Sequence, residues 1–277
     1  MNSENKNLKG ISCSALKFYA VILMVIDHIG AAVLYFLIKD YGCQYNHPET
    51  FFQTGAALPV IYFFLRLIGR LSFPIFCFML VEGFFHTRSR WKYAFKLLIF
   101  SFLSEVPFDM AFTHHVLTFN KQNVFFTLFI ALMVMWGLEF VEEKKMSQAD
   151  SDFFSNKMTQ NIFAACIELI IICLGMYAAI LLKTDYAEKG VAAIIAMYMV
   201  YRYYGRYAED RAKAHMSVMA AGVLVLALFS FDEAMAFLNL PVIARYNGKR
   251  GKGMKYFFYI FYPAHLMLLY LIYSLIK

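Results

Sequence analysis

Charged residues are scarce in this chain. They make up 16% of its 277 residues, whereas apolar residues make up 61%. Soluble domains carry about 25% charged residues, so a soluble fold of this composition would leave much of its apolar surface in contact with water. The shortage of charge excludes an ordinary soluble enzyme and predicts an all-α polytopic integral membrane protein.

Paired cysteines, internal repeats and polar linkers are also few. The five cysteines include no CxxC pair, so neither a zinc ribbon nor a disulfide framework is predicted. We find no convincing internal repeat. Only one long polar stretch interrupts the closely spaced apolar runs. We therefore predict a single domain over residues 1–277, with residues 142–160 as a cytoplasmic loop.

Nine apolar runs reach or approach the length of about 17–25 residues that a transmembrane helix needs. We therefore expect about nine transmembrane helices, within a range of eight to ten. The eighth run is short and contains Pro241, so it predicts either a short tilted helix or a re-entrant segment. The predicted spans are 15–38, 58–85, 93–113, 123–141, 161–182, 189–204, 216–230, 231–245 and 255–276.

Lysine and arginine are unevenly distributed between the loops. If the N-terminus is cytoplasmic, 17 of the 26 basic residues fall in inner segments and 5 in outer segments. Cytoplasmic loops are the ones enriched in Lys and Arg, so we predict a cytoplasmic N-terminus in a multi-pass cell-membrane protein, with a bacterial inner or plasma membrane as the expected location. The net charge of +7 is explained by these loops, so we expect a lipid bilayer and no nucleic acid as partner.

Two histidines and an aspartate lie deep within the first and last spans. His28 follows Lys17 by eleven residues, which places it about 16 Å deeper and near the membrane midplane. Asp27 precedes His28, and His265 lies at similar depth in the last span. A charge at this depth costs at least about 2.5–3.5 kcal/mol, so such residues are functional candidates. Histidine is also suited to proton transfer near neutral pH.

Further charged pairs occur on the second and third spans. Arg66 and Arg70 are four residues apart and share a helix face, and Glu105 and Asp109 repeat that spacing. Their opposite signs predict one internal polar cluster, which either fixes helix packing or forms a site. Its expected members are Asp27, His28, Arg66, Arg70, Glu105, Asp109 and His265.

The inner loops combine basic residues with glycines. Arg88 and Arg90 lie in one loop, and Lys249 and Arg250 lie in "NGKRGKGMK". Such loops either anchor the chain at the membrane surface or hold phosphates through backbone N–H groups and basic side chains. The sequence has no HExxH motif, so we expect no metal.

Several of these segments, in this order, resemble the TraX family, named for a membrane protein that acetylates the N-terminus of a conjugative pilin. The resemblance covers nearly the whole chain and is weaker over residues 142–235. It is carried by "ALKFYAVILMVIDHIGA", "LRLIGRLSFPIFCFMLVEGFFHTRSR", "LLIFSFLSEVPFDMAF", "NVFFTLFIAL" and "YNGKRGKGMKYFFYIFYPAHLMLLYLIY".

TraX proteins in turn resemble transmembrane acyltransferases, in which Arg or Lys, ten residues and then His occur on the first span. Lys17 and His28 match that spacing, whereas Glu82 stands where those proteins often have Ser. The resemblance implies a transmembrane acyltransferase-like bundle, acetyl-CoA as donor and His28 as the catalytic residue. The acceptor stays open between a pilin N-terminus, a small amine and a glycan.

The other candidate residues receive roles from this chemistry. Glu105 or Asp109 is expected to orient His28, and Arg66 or Arg70 to stabilise an oxyanion or hold a phosphate. We expect the phosphates of coenzyme A to bind at the inner side, with Lys17, Arg88, Arg90, Lys249 and Arg250 as the binding residues.

Two other function classes are compatible with the sequence. A proton-coupled small-molecule transporter or flippase also buries Asp, Glu, His and Arg near the midplane, although such carriers usually show two related halves. A non-catalytic assembly protein would not need a histidine inside the membrane. A homodimer is compatible with every one of these readings.

Overall fold

The computed structural model describes residues 10–40, 57–147, 157–253 and 255–277. Within these ranges the chain forms helices joined by short turns, and two single-residue bridges are the only extended pairing. The predicted all-α architecture is therefore confirmed. The α-helices are α1 Cys13–Ile29, α2 Tyr35–Asp40, α3 Ala57–Gly69, α4 Ser72–His86, α5 Arg90–Thr113, α6 Val124–Ser147, α7 Lys157–Leu181, α8 Ala187–Val200, α9 Arg211–Phe229, α10 Leu240–Ala244 and α11 Lys255–Ile276.

Three irregular helical segments complete the elements of the described ranges. A π-helical turn at Gly30–Leu34 joins α1 to α2, and another at Tyr201–Gly205 continues α8. A 3₁₀ helix at Phe231–Asn239 leads into α10. π-turns inside helices are rare and are frequent at functional sites, and the first one begins two residues after His28.

Side-chain caps mark the start of three of the described helices. Ser12, Ser89 and Asp210 each accept a hydrogen bond from the backbone amide three residues further on, at 3.3, 3.3 and 3.1 Å. The first amides of a helix have no partner within the helix, so Ser and Asp at this position stabilise the helix start. The sequence therefore sets the start of α1, α5 and α9 locally.

The turns gather at two ends of the bundle. Ile11 forms a bridge with Tyr246, and Gln122 forms a bridge with Thr184. We call the end that holds Ile11, Tyr246 and the turn at residues 87–89 the inner end, because the distribution of basic residues predicts it to be cytoplasmic. The end that holds the turns at residues 114–123 and 182–186 is the outer end.

In the part of the chain that the structure describes, six stretches are long and apolar enough to cross a membrane, judged by length and composition. Residues of α7 leave large apolar side chains uncovered, since Leu169, Leu174 and Tyr177 are 61%, 61% and 62% exposed. A bilayer covers such a surface, which is consistent with a multi-pass membrane protein. The six stretches are Cys13–Asp40, Ala57–His86, Val124–Lys145, Lys157–Leu181, Arg211–Phe229 and Tyr256–Ile276.

The short eighth segment connects the outer end of the bundle with the inner end. Asp232 contacts Arg70, and Tyr246 pairs with Ile11 at the inner end. Nine residues of 3₁₀ helix and five of α-helix extend over about 25 Å. The segment is therefore an irregular crossing helix rather than a re-entrant loop.

Two predicted boundaries are wrong. The run 58–85 is not one helix, because the chain breaks between Gly69 and Ser72. The polar stretch 142–160 is not all loop, since α6 continues to Ser147 and α7 begins at Lys157, and residues 148–156 lie outside the described ranges. Glu and Lys are strong helix formers, so the helices extend beyond the point where hydropathy falls.

The orientation can be tested by cysteine labelling in a cysteine-free background. Asn120 and Glu209 are exposed in an outer and an inner turn. We expect Asn120→Cys to react with an impermeant thiol reagent in intact cells, and Glu209→Cys to react only after the membrane is permeabilised. The reverse pattern would overturn the orientation predicted from Lys and Arg.

Candidate active site

Two histidines from opposite ends of the chain meet inside the bundle. His28 lies fifteen residues beyond Cys13, about 22 Å along α1. Its Nδ1 is 2.7 Å from Nε2 of His265 on α11. The two rings are nearly parallel, with an interplanar angle of 5° and centroids 5.0 Å apart. The structure thus brings together two residues that the sequence places at similar depth.

Aromatic rings enclose this histidine pair. Phe112 and Tyr262 lie with their ring centroids 5.3 and 6.2 Å from that of His28, and Phe261 stacks on His265 at 5.2 Å. His265 is only 5% exposed, whereas His28 is half-buried. By surface area, His28 is therefore the more exposed of the two rings.

An apolar cavity of about 110 Å³ lies between the histidine pair and the inner end. Lys17, Val21 and Met24 line it from α1. These residues and His28 share one face of the helix, because they follow at intervals of three or four residues. Tyr262 lines the cavity and also contacts both histidine rings. The cavity therefore ends one helical turn short of His28.

The basic loop after α10 is attached to the start of α1 at the inner end. The amides of Cys13 and Ser14 donate to the carbonyls of Lys249 and Arg250, at 2.8 and 3.2 Å. Gly251 has φ +70°, and a Cβ there would lie 2.2 Å from the Ser14 hydroxyl, so only glycine fits. This attachment holds Lys249 and Arg250 at the end of the helix that carries Lys17.

The other predicted phosphate-binding loop is arranged differently. Arg90 is paired with Glu143 at 3.3 Å and Glu139 at 3.6 Å, and it lies over the ring of Phe84. A guanidinium with two carboxylate partners is already neutralised, so its first role is to hold α5 against α6. Arg88 lies in the turn between α4 and α5, also at the inner end.

Asp27 and the two arginines form a charge cluster on another side of α1. Arg66 contacts Asp27 at 2.6 Å, and Arg70 contacts Asp232 at 2.7 Å and Glu233 at 3.1 Å. Glu233 is 1% exposed. The sequence analysis did not identify Asp232 and Glu233 as partners of Arg70. The available signal was the two acids of "FDE" at the outer end of the eighth segment, opposite in charge to Arg70.

Glu105 and Asp109 hold the connection between α5 and α6. Glu105 accepts hydrogen bonds from the backbone and side-chain amides of Asn123, and Asp109 accepts two from Thr118, at 2.5 and 3.0 Å. The prediction of one polar cluster is therefore wrong, since the structure forms three separate groups. The partner of His28 is His265, and the expected orienting role of Glu105 or Asp109 is not supported.

Glu82 lies between two further histidines near the inner end, a grouping that the sequence did not reveal. The Glu82 carboxylate is 3.4 Å from Nε2 of His215 and 3.3 Å from Nδ1 of His86. Glu82 and His215 are buried, and they join α4 to α9. Over the described ranges, no three His, Cys, Asp or Glu side chains are grouped as a metal site would require.

The charge cluster depends on a glycine. A Cβ on Gly69 would lie 2.1 Å from Oδ1 of Asp27. We expect Gly69→Ala to displace Asp27 from Arg66 and to lower the stability by about 1–3 kcal/mol, the usual effect of overpacking. Thermal unfolding of the purified protein in detergent measures the change.

Gly253→Ala is the matched control for this prediction. Among the described residues, no atom lies within 4 Å of a Cβ built on Gly253. Its melting temperature should stay at the wild-type value. A Gly69→Ala protein that is as stable as the control would contradict the role of this close approach.

Comparison with known proteins identifies a family and a similar protein. A family model described as "TraX protein" matches residues 12–273, a range that includes both His28 and His265. The chain is also similar to the "Probable fimbrial assembly protein FimC, serogroup H1" of Dichelobacter nodosus. The two are 29% identical over 279 residues, covering 93% of this chain and 94% of that protein. No solved structure matches the chain.

Proposed function

Because this chain belongs to the TraX protein family, we propose that it is an integral-membrane acetyltransferase. It moves an acetyl group from cytosolic acetyl-CoA to an amine or hydroxyl of an acceptor at or beyond the membrane. The observation that carries the proposal is the position of the His28–His265 pair, one turn beyond an apolar cavity that begins near Lys17.

The inner end has the chemistry that coenzyme A needs. The phosphates of coenzyme A are anionic, and the basic residues Lys249, Arg250 and Lys17 lie together where α1 begins. Charge-assisted contacts of Lys and Arg with phosphate are stronger than neutral hydrogen bonds. The thin pantetheine arm then enters the apolar cavity, which leads the thioester toward Tyr262 and His28.

His28 supplies the proton transfer. As the acceptor nitrogen or oxygen attacks the thioester carbonyl, the imidazole takes its proton and an oxyanion forms. The C–S bond then breaks, the acetyl group stays on the acceptor, and the proton passes to the departing thiolate to give free coenzyme A. In a two-step variant, His28 itself attacks and carries the acetyl group before the acceptor takes it.

Arg66 is the candidate for stabilising the oxyanion. Its side chain packs on Gly30, which lies two residues after His28 in the π-turn that follows α1. Asp27 holds one of its nitrogens at 2.6 Å, and a guanidinium has five N–H donors. The remaining donors can therefore face a developing negative charge.

The acceptor class is narrowed by the similar protein. That protein is described as a fimbrial assembly protein, so we propose a pilin-like subunit, with its N-terminal amine as the acetylated group. A small amine or a glycan would use the same donor site. If the purified protein instead drives uptake of a solute with protons and transfers no acetyl group, the transporter reading replaces this proposal.

His28→Ala should abolish most of the transfer. We expect a rate reduced by about 10²–10⁴-fold, the usual contribution of a positioned acid or base, with coenzyme A binding retained. His28→Gln should not restore activity, because an amide does not take up a proton. Transfer from labelled acetyl-CoA by purified protein measures the rate, and His86→Ala, which changes a largely exposed imidazole, is the control.

The outcome separates catalysis from packing. A His28→Ala protein with normal transfer would remove His28 from the mechanism. A protein that no longer accumulates in the membrane would support a packing role for the histidine pair.

Changing Lys249 and Arg250 together to Gln should weaken the binding of acetyl-CoA. We expect KM for acetyl-CoA to rise about tenfold, which corresponds to one lost charge-assisted hydrogen bond, with a smaller change in kcat. Lys157→Gln is the control, since Lys157 lies at the start of α7, which packs on α6 and α8. An unchanged KM would move the phosphate site to Arg88 or to the pair Arg66 and Arg70.

A further inference from the structure

The hydrogen bonds of His265 determine where its proton lies. Its Nδ1 is 2.9 Å from the backbone carbonyl oxygen of Phe261, one turn earlier in α11. A carbonyl oxygen only accepts hydrogen bonds, so Nδ1 of His265 carries the hydrogen. In a neutral imidazole the other nitrogen, Nε2, is then the acceptor.

The short contact between the two rings fixes the second proton. Nε2 of His265 is 2.7 Å from Nδ1 of His28. Since Nε2 of His265 accepts, Nδ1 of His28 must donate. The hydrogen of a neutral His28 therefore lies on Nδ1, and the lone pair lies on Nε2.

A neutral pair fits the surroundings. Phe112, Phe261 and Tyr262 pack against the two rings. Over the described ranges, the histidines within ion-pair distance of a carboxylate are His86 and His215, both beside Glu82. A cation at His265 would be buried among aromatic rings without a bonded carboxylate, which is costly.

We propose that His265 is a positioning residue that holds His28 in a single tautomer, with Nε2 as its basic atom. The tautomer follows from the two hydrogen bonds alone, whereas its catalytic meaning rests on the proposed acetyl transfer. The arrangement is a chain of three groups. The Phe261 carbonyl orients His265, His265 orients His28, and Nε2 of His28 is left for the acceptor's proton or for the acetyl group.

Nitrogen NMR tests the tautomer without any assay of transfer. The protein would be labelled with ¹⁵N-histidine and studied in bilayers by magic-angle spinning, and the signals of His28 would be identified by their loss in His28→Gln. We expect Nδ1 of His28 to show the shift of a protonated nitrogen and Nε2 that of an unprotonated one. Protonated Nε2 with unprotonated Nδ1 would overturn the proposal.

Variants of His265 test whether the bond maintains that state. In His265→Gln the amide oxygen can take the acceptor place of Nε2, whereas Met in His265→Met fills a similar volume without a strong acceptor. The His28 signals should keep the wild-type pattern with Gln and lose it with Met. His215→Gln, a change to another histidine that is 5% exposed, should leave them unchanged. A wild-type pattern in His265→Met would show that His265 does not hold the tautomer.

The catalytic consequence is measured separately. Transfer should stay within about tenfold of wild type in His265→Gln and fall by about a hundredfold in His265→Met, at the lower end of a positioned base, with KM for acetyl-CoA unchanged. Equal loss in both variants would overturn the positioning role. If the wild-type protein transfers no acetyl group, the proposed function fails, and the NMR result still decides the tautomer.

Discussion

A hydrogen bond of 2.7 Å between His28 and His265 joins the first and last long helices of the chain. The start of α1 is also attached at the inner end, where the amide of Cys13 donates to the carbonyl of Lys249 in the loop before α11. Two attachments about 22 Å apart along α1 fix its rotation as well as its tilt. Val21 and Met24 must then face the cavity.

The fixed rotation also explains why Asp27 and His28 serve different groups. Neighbouring residues project about 100° apart on a helix, so Asp27 faces α3 when His28 faces α11. There it contacts Arg66, and the absence of a side chain on Gly69 gives it room. Asp27 and Arg66 are half-buried, and even a fully buried ion pair adds little net stability, although removing one of its members costs about 3–5 kcal/mol. The pair therefore specifies how α1 and α3 pack more than it stabilises them.

The depth of the functional candidates could be read from the sequence, but most of their partners could not. The rise of 1.5 Å per residue places His28 and His265 at mid-span once the spans are recognised. Their contact joins positions 237 residues apart, and no local periodicity reports such a pairing. The ion pairs of Asp232 and Glu233 were not predicted for another reason. Both residues lie in a 3₁₀ helix, which lacks the repeat of an amphipathic α-helix.

The partners of Glu105 and Asp109 were closer to being predictable. Thr118 lies nine residues after its partner Asp109, and Asn123 lies eighteen residues after its partner Glu105. Thr and Asn are typical of turns, where their side chains bond to the local backbone. An acid in the last turns of a helix that is followed by such a connection has a local partner available. The opposite charge of distant arginines was the weaker signal, because it carries no information on geometry.

The placement of the cavity has a consequence for the proposed acetyl transfer. In that proposal a thioester reaches the histidine pair from one side and an acceptor from the other, while bulk water is kept from the activated donor. Tyr262 lies between the cavity and the two imidazoles and touches both. Tyr262 and His265 are within one turn of α11, with Pro263 between them. A proline inside a helix removes one backbone hydrogen bond and favours a kink. In the proposed mechanism, donor entry and the position of the base therefore depend on the same turn of α11, and a shift of that turn would change both together.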